Sequence, residues 1–170
     1  MTESTISPAG EINRALRGKR SSFSDTVFED AEDPMPSFWL VKSEPNKYAF
    51  SDLVRDGKTV WDGVRNNAAA LHLKAMKVGD EVLYYHSQEG LAVVGVAKVV
   101  KEAFPDVTDP AGRFVAVELA PVRELKRPVT LAEMKANPAL SALEMIRQGR
   151  LSVSPVRPEE WKAILAMAGE

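Results

Sequence analysis

Apolar and polar positions along the chain fall into short blocks separated by turn residues. Phe38-Trp39-Leu40-Val41 is an unbroken apolar run that ends in Lys42-Ser43-Glu44 and Pro45. It reads as a strand covered on both faces. Residues 48–57, YAFSDLVRDG, read as one helix with Ser51 as N-cap and Gly57 as stop. Residues 58–67 form a connector that turns at Asp62-Gly63. Residues 66–76 are helical, and KVGDE is a turn into the next strand. EVLYYHS and LAVVGVAKVVKEAF are strands joined at Gln88-Glu89-Gly90, a hairpin signal.

PDVTDPAG is a loop of turn residues, and RFVAVELAPVREL is the next long strand. RPVTLAEMKAN is a short helix in which Thr130 and Glu133 make a capping box, and Ser141 with Glu144 repeats that spacing. RLSVSPV is the last strand. Pro158 opens the closing helix, whose stripe is Trp161, Ile164, Leu165 and Ala168. Long strands follow one another while helices are short and peripheral. The expected fold is therefore mixed α/β, a mostly antiparallel β-barrel flanked by short helices. A doubly wound sheet would need regular βαβ alternation.

Residues 1–34 break this pattern. They are rich in Ser, Thr, Asp and Glu, and they bury too little to offset the entropy of ordering. They read as a disordered tail with one short helix carrying Ile12, Ala15 and Leu16 on a face. The domain pattern begins at Met35, a candidate start residue, and runs over 35–170.

Composition narrows the classes. There is no cysteine, which removes disulfides and thiolate metal sites and fits a reducing, cytoplasmic setting. With two histidines, His72 and His86, no metal and no cofactor are expected. No apolar run approaches about 18 residues, so no spanning helix and no membrane partner are expected. The net charge is −2; residues 1–34 sum to −3 and the rest to +1, so bulk charge does not advertise a nucleic-acid partner.

Chemistry concentrates where apolar segments end in polar ones: Lys42-Ser43-Glu44, Asp62 to Asn67, and His86-Ser87-Gln88. In a small barrel such ends converge on the mouth, where ligands bind. Asn66 and Asn67 suit helix N-caps equally well, and Lys42 suits a solvated rim. Trp61, on a connector, either packs the edge of the core or offers a stacking plane to a flat base. Lys42 and Arg65 then face a phosphate or base edge. His86 beside Ser87 is a poor nucleophile–base pair, because neighbours on a strand point to opposite faces. An enzyme using His86 with Glu44 or Asp62, or a small-ligand sensor, stays open as an alternative.

The motifs WLVKSEP, WDGVRN, MKVGDEVLYYHS, GVAKVVKEAFPD, RPVTLAEMKANPAL and RQGRLSVSPV, in that order before EEWKAIL, resemble the EVE domain family over residues 37–168. This is a PUA-like branch related to YTH domains. The resemblance implies a non-enzymatic module that binds a modified base in DNA or RNA, notably a modified cytosine. It implies Trp61 as the stacking residue, within a WDGVRN segment that also brings Asp62, Gly63 and Val64. Lys42, Ser43 and Glu44 would line the floor, with Trp39 also among the ligand-binding residues and Arg65 and Asn66 at the flank. Tyr85, His86 and Ser87 would form the far wall, and Arg150 and Ser152 the rim. The loop after AFPD is shorter here than in many relatives.

Overall fold

A computed structural model describes residues 37–170. The expected tail, 1–34, its short helix and Met35 lie outside these residues. The sheet has six strands: β1 Phe38–Ser43, β2 Thr59–Trp61, β3 Glu81–His86, β4 Ala92–Pro105, β5 Val115–Thr130 and β6 Val153–Val156. Their order is β2-β5-β4-β3-β1-β6. All neighbours are antiparallel except β1 and β3, which run parallel from Phe38↔Glu81 to Ser43↔His86. The helices are α1 Pro45–Tyr48, α2 Phe50–Asp56, α3 Asn67–Ala75, α4 Leu131–Ala136, α5 Glu144–Arg147 and α6 Pro158–Met167, with a 3-10 turn at Pro138–Leu140.

The strand alternation sorts side chains into two apolar layers. Trp39, Val41, Val82, Tyr84, Ala97, Val99, Val117 and Leu119 face one layer, closed by Phe50 and Leu53 of α2 and Leu73 of α3. Leu40, Leu83, Tyr85, Val93, Val96 and Val129 face the other, closed by Met134, Leu140, Met145, Trp161 and Ile164. The apolar run of β1 is thus covered on both faces, as its unbroken pattern predicts. Gly95 on β4 lies under the Phe50 ring; a Cβ there would come within 2.5 Å of Cζ. No larger residue fits this seat without moving the ring.

Several local expectations change. The segment 48–57 is not one helix. The chain breaks at Ala49 (ψ 164°), and Ala49 rather than Ser51 stands at the N-cap, with its N–H donating to Asp52 Oδ2 at 2.8 Å. The break survives because other elements satisfy its polar groups. Tyr48 O accepts from Ser43 Oγ (2.8 Å) and Tyr84 Oη (2.6 Å), and Phe50 N–H donates to His86 Nε2. The expected connector holds a strand, β2, paired to Val117–Leu119 of β5. Strand β5 runs on through Thr130, so Arg127 to Thr130 are extended rather than helical. The Thr130–Glu133 capping box forms, but Ser141 sits in a helical turn and Leu143 stands at the N-cap of α5.

The sheet coils without closing. Trp61 on β2 and Tyr84 on β3 are separated by two strands in the sheet order, yet their ring centroids are 5.5 Å apart. Strands spaced about 4.8 Å apart in a flat sheet would keep such rings well separated. The end strands β2 and β6 are not hydrogen-bonded to each other, which corrects the expected closed barrel. A cavity opens at this seam, between β2 and the end of β1.

Candidate ligand-binding site

The parallel pairing of β1 and β3 explains how distant motifs meet. It places Ser43 beside His86, and Ser87 N–H continues the ladder to Ser43 O at 2.9 Å. Two polar strand ends therefore emerge side by side. Strand β6 arrives antiparallel on the other side of β1, and Lys42 N–H donates to Ser152 O at 3.0 Å. The coiled edge strand β2 faces them across the seam. The result is an open cavity of about 800 Å³.

Twelve residues singled out from the sequence line it: Lys42, Ser43, Glu44, Trp61, Asp62, Gly63, Val64, Arg65, Asn66, Ser87, Arg150 and Ser152. Gln88, named from the sequence as the end of the polar run His86-Ser87-Gln88 but given no role, lines it too, and five more were not foreseen: Lys47, Tyr48, Thr59, Val60 and Gly149. Tyr48 and Lys47 enter through the helix break. Thr59 and Val60 enter through the unforeseen strand. Gly149 belongs to the turn beside Arg150, already named, so adjacency was the available signal.

Three expected residues lie off the cavity wall. Trp39 is buried in the core, with Nε1 donating to Asp80 Oδ2 at 2.9 Å. Tyr85 is buried in the opposite layer, because it is one residue out of phase with Tyr84. Tyr85 Oη is not cavity-lining, although the Lys42 ammonium lies 5.9 Å from its ring centroid. His86 lies behind the wall, where its Nε2 accepts the Phe50 N–H at 3.1 Å. Neither Glu44 nor Asp62 hydrogen-bonds His86 among the described residues, so the dyad considered from sequence is not assembled.

The lining groups divide into those already engaged and those available. Ser43 Oγ donates to Tyr48 O, and Asn66 Oδ1 accepts from Ala69 N–H at 2.9 Å as the N-cap of α3. Lys42 Nζ donates to Gly149 O at 2.7 Å, which ties the Gly149-Arg150 turn across the end of β1. Burial lowers the pKa of this lysine. An ammonium has three donors, so two remain for a ligand. Trp61 is half-buried, its ring in a T-shaped contact with Tyr84. Burial pushes the Tyr84 hydroxyl up to about 12, so it stays a neutral donor to Tyr48 O.

Arg65 is anchored from below. Its Nη1 lies 3.0 Å from Asp106 Oδ2, its Nη2 donates to Thr108 Oγ1 at 3.0 Å, and its guanidinium lies over the Phe114 ring. Gly63, at φ 80°, donates its N–H to the same Asp106 oxygen at 2.8 Å. The buried Asp106 carboxylate therefore clamps both sides of the WDGVRN segment to the short loop after β4. The lining residues include four cations (Lys42, Lys47, Arg65, Arg150) and two carboxylates (Glu44, Asp62), and with Asp106, which pairs with Arg65 from behind the wall, the local balance is +1. Arg150 has no carboxylate partner among the described residues, so the rim carries a cation open to an anion.

The His86 contact has a pH consequence. Burial lowers the His86 pKa, and its Nε2 lone pair is needed to accept the Phe50 N–H. A folded pKa below the unfolded value of 6.5 means stability is complete above 6.5 and is lost as pH falls through the folded pKa. Thermal melts from about pH 7.5 to about pH 5 should show the midpoint falling in the wild type. His86→Gln should flatten that slope; His72, shifted in the same direction, leaves a residue of it. An identical slope in the variant refutes the assignment.

Comparison with known proteins agrees with this architecture. The sequence profile of the EVE domain matches residues 37–167. Thymocyte nuclear protein 1 of Rattus norvegicus is 35% identical, covering 94% of this chain and 92% of its own length. A Rhodopseudomonas palustris protein solved by NMR is 47% identical at a TM-score of 0.75, covering 78% of this chain and 93% of its own. Human THYN1, crystallised in complex with DNA containing 5-methylcytosine, is 33% identical at a TM-score of 0.75, covering 79% and 98%. The chain belongs to the EVE domain family.

Proposed function

We propose that this protein is a non-catalytic binding module that takes a modified nucleobase of DNA, of the 5-methylcytosine type, into the seam between β2 and β1. The observation that carries the reading is the cavity itself. Its volume of about 800 Å³ falls within the range of small-ligand pockets, roughly 300–1,000 Å³. Its wall combines an indole plane, hydrogen-bonding groups and a net positive rim. A base turned out of the duplex presents flat faces, a polar edge and a phosphate on each side, and these surfaces suit each of them. The complex of the human relative with 5-methylcytosine DNA supports the same ligand class. The engaged Nε2 of His86 supports binding without catalysis.

A methyl mark contributes only about 0.8 kcal/mol through burial. Selectivity therefore rests on the shape of the wall around Trp61 more than on added apolar area. Calorimetric titration with duplexes containing 5-methylcytosine, methylated adenine or unmodified bases, in DNA and RNA, tests the proposal. Tighter binding of the 5-methylcytosine DNA duplex is the expected result. Equal or absent binding across the set sinks it. Free nucleosides that bind as tightly as the duplex would reassign the cavity to a small-molecule sensor.

A further inference from the structure

Gln88 is the one residue of the cavity wall whose backbone pays no regard to its own side chain. Seven described residues have positive φ, and six of them are glycines; the seventh is Gln88, at φ 70°. Its two neighbours close around it, with Glu89 N–H donating to Ser87 O at 2.8 Å. A hydrogen bond from residue i+2 to residue i around a central residue of positive φ is the γ-turn form that is rare and strained. The turn does not require glutamine for folding. Glycine is the residue that adopts this conformation without penalty, and the same hairpin uses Gly90 at φ 68°.

The strained residue is also a cavity residue. Gln88 lines the cavity from an exposed position, and its carboxamide has no hydrogen-bond partner among the described residues. It is carried on a firm base, because Ser87 N–H is bonded to Ser43 O at the end of β1. Backbone strain held at a ligand-facing position is characteristic of sites where it positions a group. A carboxamide offers an acceptor oxygen and a two-proton donor in one plane, the complement of a nucleobase edge. Neither Trp61 nor the rim cations supply such a pair.

Resting on the reading of the cavity as a nucleobase pocket, we infer that Gln88 is a specificity-determining residue whose carboxamide hydrogen-bonds the edge of the bound base. The strained γ-turn aims that amide. Asn66, the other carboxamide of the cavity wall, has its Oδ1 engaged by the Ala69 N–H in capping α3.

The test compares full-length wild type, Gln88→Gly and Gln88→Glu, by thermal midpoint and by titration with a 5-methylcytosine DNA duplex and its unmodified counterpart. Gln88→Gly relieves the backbone and removes the amide. It should raise the midpoint while lowering affinity for the modified duplex at least about tenfold and narrowing the preference over the unmodified one. Gln88→Glu keeps the length but loses the donor, and should also weaken modified-duplex binding. If the wild type binds with preference and Gln88→Gly retains both affinity and preference, the assignment of Gln88 is overturned and the pocket reading stands. If the wild type shows no preference for any modified base, the pocket reading falls, and the Gln88 assignment with it.

Discussion

Trp61→Ala lowers affinity for a 5-methylcytosine duplex by about five- to 150-fold, the equivalent of roughly 1–3 kcal/mol of lost base stacking. The expectation follows from where the indole sits. Residue 61 ends the short edge strand β2, in register with Val117, and the coil of the sheet swings it over the cavity. Its ring touches Tyr84 in a T-shaped contact and remains half-exposed. Trp61→Phe keeps an aromatic plane and should lose less. The competing role is packing the edge of the core. In that case Trp61→Ala lowers the unfolding midpoint while the folded fraction binds as tightly as wild type. Measuring both quantities on the same preparations separates the two roles.

The largest expected loss of stability comes from a residue that does not touch the cavity. Asp106 accepts from the N–H of Gly63 and Thr108, from Thr108 Oγ1 and from Arg65, and its carboxylate is fully buried. Burial alone would raise its pKa, but these bonds outweigh it and hold the carboxyl well below the usual range. Asp106→Asn places an amide donor among donors and removes the charge that strengthens each bond. The expected loss is about 2–4 kcal/mol by urea unfolding near neutral pH. The half-exposed Arg65 can rehydrate, so its ion pair is a minor share of that figure.

The sign of the pH effect follows from the same shift. A folded pKa below the unfolded value of 3.8 contributes stability that is complete above 3.8 and is lost as pH falls toward the folded pKa. Asp106→Asn should therefore remove part of the acid limb of the stability curve. Freed of its clamp, the WDGVRN segment should also hold a ligand less well. A variant as stable as wild type, with an unchanged acid limb, would refute the clamp.

Local chemistry was the readable part. Asn66 caps α3, Gly57 ends α2 at φ 80°, Thr130 and Glu133 form their box, and Trp161 and Ile164 of α6, with Ala168 at its C-cap, turn one face into the core. Each depends on residues a few positions apart. The same grammar misled at Ser141 and Glu144, where the preceding 3-10 turn holds Ser141 in a helical conformation and moves the N-cap to Leu143. It misled again at Ser51, because the partners that stabilise a break at Ala49 come from Ser43, Tyr84 and His86. Strand alternation already separates Tyr84 from Tyr85; treating Tyr85, His86 and Ser87 as one wall neglected it.

The sequence by itself determined most of the elements, though not β2 or the break at Ala49, together with the family and the three polar ends that meet at the site. These depend on residue type and short-range spacing, and they survive without knowledge of distant partners. Tertiary structure alone decided that β1 and β3 run parallel, so that Ser43 and Ser87 stand together. It also decided that the sheet coils without closing, leaving the seam as a cavity. Trp39 and His86 were spent on the core and on a helix break, while Gln88 was held in a strained turn at the cavity wall. Pairing direction, closure and the choice among hydrogen-bond partners are settled between residues far apart in the chain, where spacing along the sequence carries no signal.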